Sequence, residues 1–130
     1  MSNRDISEEE VYRFIYEKID SVPHLEALLQ LWNSRPRRWS EEELAARLFL
    51  TAPVLHDIMR DLMRVELATG GDEEPKWFAY PPSSPLTDRM VGALAETYKR
   101  DLLRVTEAIH AKSSSGAREF GRAFKFRKKK

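Results

Sequence analysis

The sequence predicts a mainly α domain carrying one small β-hairpin, and three observations support that prediction. The capping-box spacing S-x-x-E occurs at Ser7–Glu10 and again at Ser40–Glu43, each time just ahead of an apolar stripe. Apolar residues then recur at i, i+3, i+4 spacing through most of the chain, the period of a helix with one buried face. Only the stretch "LATGGDEEPKWFAYPP" breaks that rhythm, with two short extended runs around a glycine-containing turn. With 130 residues and 42% hydrophobic side chains, the chain is long and apolar enough for a single domain with a real core.

Each element has a local reason. Ser7 opens a helix to about Asp20, with Val11, Phe14, Ile15, Ile19 and Val22 on its apolar side. Pro23 suits the first turn of a second helix, where a missing N–H costs nothing. Leu25, Leu28, Leu29 and Trp32 give that helix a core-facing stripe, which Pro36 brings to an end. Trp39 follows as a lone large apolar residue in an extended link. Ser40 then caps a short helix with Leu44, Ala45 and Leu48 inside, and "FLT" turns the chain. Thr51 caps the next helix, with Pro53 in its first turn and Leu55, Ile58, Met59 and Leu62 on its buried face. The hairpin runs are Leu67–Thr69 and Lys76–Tyr80. Ser84 and Pro85 start a final helix predicted to run unbroken to about Ala111, ahead of "KSSSG" and a basic end.

This order resembles the winged helix-turn-helix superfamily of bacterial transcription regulators, with the MarR-like branch closest in general shape. The likeness covers Leu25 to Tyr80 and rests on the "S-x-E-E-L-A-x-x-L" of Ser40–Leu48, the turn ending in Thr51, and the spacing of Leu55, Met59, Leu62 and Leu67. Leu44 and Leu48 would reach across to Leu55 and Met59 so that the two helices share a core. Glu66 stands where the family often has glycine, ahead of the leucine that anchors the first wing strand. The resemblance implies a winged helix-turn-helix core with flanking N- and C-terminal helices, in a non-enzymatic DNA-binding regulator. The third helix would lie in the major groove of double-stranded DNA, where Val54, His56, Asp57 and Arg60 would meet the bases. Arg37, Arg38 and Lys76 would then contact phosphates.

Charge complicates that reading. From Pro36 to Gly70 the chain has five basic residues against six acidic ones, and the hairpin turn adds Asp72, Glu73 and Glu74. A surface that follows phosphates gains affinity from each one it neutralises, and this stretch has little positive charge to give. The net charge of +1 also hides an asymmetry. Residues 118–130 hold seven Lys/Arg against one acid, so the tail carries +6 and the rest of the chain −5. The tail residues Arg122, Lys125, Arg127 and Lys128 are therefore expected to supply phosphate contacts.

No pattern of catalytic chemistry emerges. His24, His56 and His110 lie in three different predicted helices, and no pair has the i, i+4 spacing of a helical metal site. "TGGD" lacks the Lys-Ser/Thr of a phosphate loop, and acidic runs such as Glu41–Glu43 sit at helix starts, where they complement the helix dipole. No enzyme activity, metal or other cofactor is expected. The absence of cysteine, signal stretch and membrane-length apolar run makes a cytoplasmic protein without membrane contact the expectation.

In the final helix Val91, Leu94, Tyr98, Leu102, Val105 and Ile109 recur at helical spacing, an expected interface for a homodimer. The domain plan is thus an N-terminal helix over 1–22, a winged domain over 23–82, a long dimerising helix over 83–112 and a basic tail over 113–130. A second reading is a winged-helix module that docks a protein partner through its acidic surface and does not touch DNA.

Overall fold

A computed structural model describes residues 6–71 and 76–112. The described elements are α1 (Glu8–Lys18), α2 (Val22–Asn33), β1 (Trp39–Ser40), α3 (Glu41–Leu48), α4 (Ala52–Arg64), β2 (Thr69–Gly71), β3 (Trp77–Ala79), α5 (Pro85–Arg100) and α6 (102–112). The fold is the mainly helical winged helix-turn-helix expected, with helices before and after the winged core.

Both capping boxes form. The Ser7 hydroxyl accepts from Glu10 N–H at 3.1 Å and Ser7 N–H donates to Glu10 Oε1 at 2.8 Å. Ser40 and Glu43 repeat the exchange at 3.1 and 3.3 Å. Ser21, Thr51 and Ser84 cap α2, α4 and α5, each helix having proline in its first turn.

The core gathers Leu25, Leu28 and Leu31 of α2, Leu44 of α3, and Leu55, Met59 and Leu62 of α4, all with no measurable exposure. Trp39 is not a bare link. It opens a short strand whose Trp39 and Ser40 pair with Phe78 and Trp77, so the hairpin becomes a three-stranded antiparallel sheet in the order β1-β3-β2. Trp39 and Phe78 are both buried beneath that sheet. The hairpin ladder starts two residues later than the hydrophobic pattern suggests, at Thr69, because Leu67 and Ala68 are buried as anchors between α4 and the sheet.

The C-terminal region departs most from expectation. The helix breaks at Asp101, whose backbone takes φ −140° and ψ 60°. Asp101 N–H still closes α5 on Thr97 O at 2.8 Å, and Asp101 O accepts from Val105 N–H at 3.1 Å to open α6. The break lets α6 lie alongside α1. Arg104 pairs with Glu8 at 3.3 Å, and Lys112 Nζ donates to Ile19 O at 2.8 Å, so the two helices run in the same direction. Lys112 thereby satisfies carbonyls at the C-terminal end of α1, where a cation also complements the helix dipole.

The break also changes what the apolar stripe does. Val91, Leu94, Val105 and Ile109 have no exposed surface within one chain, having packed into the common core. They have no surface left for a partner subunit. Of the six stripe residues, Leu102 is the one that stands out in solvent, at 55% exposure, beside Leu103 at 66%. Tyr98 is half-buried and donates its hydroxyl to Glu26 at 3.2 Å.

Candidate functional site

In the helix-turn-helix, α3 ends in a left-handed residue. Phe49 takes φ 58°, and the N–H groups of Phe49 and Leu50 return to Ala46 O and Ala45 O at 3.2 and 2.9 Å. This paired return is the Schellman closure that glycine usually permits without strain. Here a phenylalanine adopts it and leaves its ring 94% exposed. α4 ends the same way: Glu66 has φ 65°, with its N–H on Met63 O at 3.0 Å and Leu67 N–H on Leu62 O at 2.8 Å. The residue standing where the family often has glycine therefore does take the glycine-type conformation.

The outer face of α4 presents Val54, His56, Asp57 and Arg60, all exposed as the resemblance requires. Its basic side chains, however, have acidic neighbours. Arg60 bonds Asp57 at 2.7 Å, Arg64 meets Asp61 at 3.2 Å, and His56 lies 3.7 Å from Glu41 of α3. Such exposed pairs add little stability, and phosphate or a base edge would have to compete with the carboxylates.

Behind this face α4 is tied to α2. His24 Nε2 lies 2.9 Å from Asp61 Oδ2, while His24 Nδ1 lies 2.6 Å from the Ser21 hydroxyl. The His24 hydrogen bond, with help from Arg64, holds the Asp61 carboxyl below the ordinary carboxylate range. Asp20, His24 and Asp61 are, among the described residues, a group whose ligand atoms lie close enough for a cation. Both ring nitrogens and the Asp61 carboxylate are already hydrogen-bonded, and Asp20 pairs with Lys112 at 3.5 Å. The cluster therefore works as a polar tie between helices.

A different arrangement surrounds the link from α2 to β1. Arg35, Arg37 and Arg38 each lie over an indole, with guanidinium carbons 3.5 Å from the Trp32 ring, 3.7 Å from Trp39 and 4.0 Å from Trp77. Arg37 also reaches Glu43 Oε1 at 3.4 Å. Neither Arg35 nor Arg38 has a carboxylate oxygen within 4.0 Å among the described residues, although Arg35 lies near enough to Asp88 to help hold its carboxyl low. The two arginines line one groove of about 500 Å³, together with Trp77, Tyr80, Pro82 and Asp88. On its floor Tyr80 donates to Asp88 Oδ1 at 2.8 Å, and its ring meets Trp32 edge-on with centroids 5.1 Å apart. Burial pushes the Tyr80 phenol up to about 12, while hydroxyls from Ser83 and Tyr80 hold the Asp88 carboxyl low.

Of the residues expected to meet DNA, Val54, His56, Asp57 and Arg60 share the α4 face, whereas Arg37 and Arg38 lie at the base of the sheet. Lys76 is half-buried just before β3. Arg122, Lys125, Arg127 and Lys128 lie outside the described residues, as do Asp72, Glu73 and Glu74. In the sequence Trp32 reads only as part of a core-facing stripe and Trp77 only as part of a hairpin run, and Arg35 is not singled out. The signal was available in "WNSRPRRW", where arginines fall between two indoles and Trp32 and Arg35 have helical i, i+3 spacing.

No protein-family model matches the chain, and no curated protein does either. Solved structures do match in fold. Staphylococcus aureus MepR in complex with DNA aligns over 83% of this chain and 86% of its own, with TM-score 0.55 and 14% identity. MepR described as a transcription regulator of the S. aureus multidrug efflux pump MepA aligns over 92% and 89%, with TM-score 0.54 and 11% identity. The adhesin competence repressor AdcR of Streptococcus pyogenes aligns over 89% and 87%, with TM-score 0.50 and 12% identity. These likenesses establish a MarR-like winged-helix fold.

Proposed function

We propose that the protein is a DNA-binding transcription regulator whose α4 enters the major groove. The observation that carries this reading is the winged helix-turn-helix itself, aligned with a regulator solved on DNA over most of both chains. In this reading Val54, His56, Asp57 and Arg60 meet base edges once the Arg60–Asp57 pair opens, and Arg37, Arg38, Lys76 and the basic tail meet phosphates. Two copies pair through the surface around Leu102 and Leu103, adjacent apolar side chains at the start of α6 that the monomer leaves exposed.

The test is a fluorescence-anisotropy titration of full-length protein against a mixed pool of duplexes at several salt concentrations. Binding that weakens steeply with salt supports the reading, and His56→Ala with Arg60→Ala should reduce discrimination between sequences more than overall affinity. Absence of binding at low salt refutes it. Leu102→Arg should give monomers in sedimentation if the pairing is right, and a monomeric native protein would refute the pairing alone.

One observation favours a second reading, a module that docks a protein. Phe49 is exposed beside a groove lined by Leu29, Leu48, Tyr98 and Leu102, while the cations of α4 are matched by acids. Phe49→Ala would then abolish partner binding and leave any DNA binding unchanged.

A further inference from the structure

We infer that Arg35 and Arg38 form a phosphate clamp for a nucleic-acid backbone, held in place by the indoles of Trp32 and Trp77. This inference rests on the proposed DNA binding and assigns part of it to a groove beside the sheet, away from α4. The Arg35 guanidinium carbon lies 3.5 Å from the Trp32 ring centroid and that of Arg38 4.0 Å from the Trp77 centroid, so each cation rests against an indole face at cation–π distance. A guanidinium that lies parallel to such a face has its in-plane N–H donors directed sideways, the geometry that grips a phosphate through two parallel hydrogen bonds. Contact with the ring also removes much of the side-chain entropy that a flexible arginine loses when it binds.

The sheet is shaped to hold Trp77. Gly71 of β2 pairs directly with Trp77, and a Cβ at Gly71 would fall inside the indole. Ser40, the other cross-strand partner, is small. The indole therefore lies flat across the sheet, with Gly71 beneath one part of it and Arg38 above. Trp32 is fixed by the edge-on contact with Tyr80 and by close packing against Gly92. Among the described residues that line the groove the one acid is Asp88, engaged by the Tyr80 and Ser83 hydroxyls at 2.8 and 2.7 Å. Among those described residues two cations face one carboxylate, a positive balance suited to a phosphodiester.

Charge and positioning predict different signatures. Each phosphate contact contributes about 0.9 to the slope of log K against log salt, so the Arg35→Ala/Arg38→Ala double variant should flatten that slope by about 1.8 and weaken binding at low salt by roughly tenfold or more. Both residues are exposed, so this variant should keep the native melting temperature. Trp77→Leu keeps the arginine charges and loses the shelf. It should weaken binding several-fold with the slope nearly unchanged, and Trp77→Phe, which restores an aromatic face, should recover most of the affinity. The probe is a mixed-sequence duplex, with a single strand of equal length run alongside. Native binding with an unaltered slope in the double variant overturns the clamp and leaves DNA binding standing. Failure of the native protein to bind either probe overturns both. Equal affinities for Trp77→Phe and Trp77→Leu would overturn the positioning role of the indole.

Discussion

Replacing Glu66 by glycine should stabilise the protein. Glu66 closes α4 in the left-handed conformation, at φ 65°, with its side chain exposed. A residue with a Cβ in that region carries about 1–2 kcal/mol of strain that glycine does not. Glycine gives back about 0.5–1 kcal/mol through the greater freedom of its unfolded chain. Its introduction also removes a carboxylate from the negative end of the α4 dipole, worth roughly 0.3 kcal/mol or more. The net expectation is about 1 kcal/mol in favour of the variant, or roughly 3–6 °C in melting temperature for a domain of this size. Both hydrogen bonds of the closure are between backbone groups and survive the change. Urea denaturation of native protein, Glu66→Gly and Glu66→Ala separates the contributions, because alanine removes the charge and keeps the strain. A glycine variant no more stable than the alanine variant would refute the left-handed closure.

Three further outcomes follow from the same geometry. Leu55→Ala and Leu62→Ala, both at fully buried positions, should each cost about 2–5 kcal/mol in urea unfolding, and a negligible loss at both would mean that α4 is not packed on α2 and α3 as described. The Asp61 carboxyl titrates lower in the folded chain than in the unfolded one, so its contribution is complete above the ordinary carboxylate range and is lost as the pH falls through it; Asp61→Asn should shrink that acid-side loss in a pH series of melting temperatures. Tyr80 is raised, so its contribution is complete below about 10 and is lost as the pH climbs to about 12; ultraviolet titration should show a late tyrosinate component that Tyr80→Phe removes.

The elements whose stabilisation is local were legible in the sequence. A capping box is satisfied by residues three apart, and an apolar stripe at helical spacing has a buried face whatever it packs against, so α1 to α4 could be placed before their partners were known. β1 was not legible because two residues have no periodicity; Trp39 becomes strand only when Phe78 arrives from across the sheet. The break at Asp101 was hidden for a related reason. Val91, Leu94, Val105 and Ile109 keep helical spacing across it, and one straight helix and two angled ones leave the same pattern in the sequence. What decides between them is the reach of α6 to α1 through Arg104 and Lys112, contacts separated by more than ninety residues.

The same distinction governs the candidate site. Counting charges along residues 36–70 treats every arginine alike, and it made this surface look too neutral for DNA. In the structure two kinds of arginine stand out, one of them including Arg35 just ahead of that stretch, while Arg37 has both a ring and an acid beside it. Arg60 and Arg64 lie beside acids one helical turn away, so any phosphate that approaches must displace a carboxylate. Arg35 and Arg38 lie against aromatic rings, and in the proposed clamp their N–H donors are left for phosphate. Two cations of the second kind can hold a polyanion where a larger number of the first kind would not. A net charge near zero is therefore compatible with a focused site, and the indoles that create it are invisible to a count of charged residues. If Trp77→Leu weakens binding with its charges intact, the arrangement of the arginines on their rings, and not their number, sets the affinity.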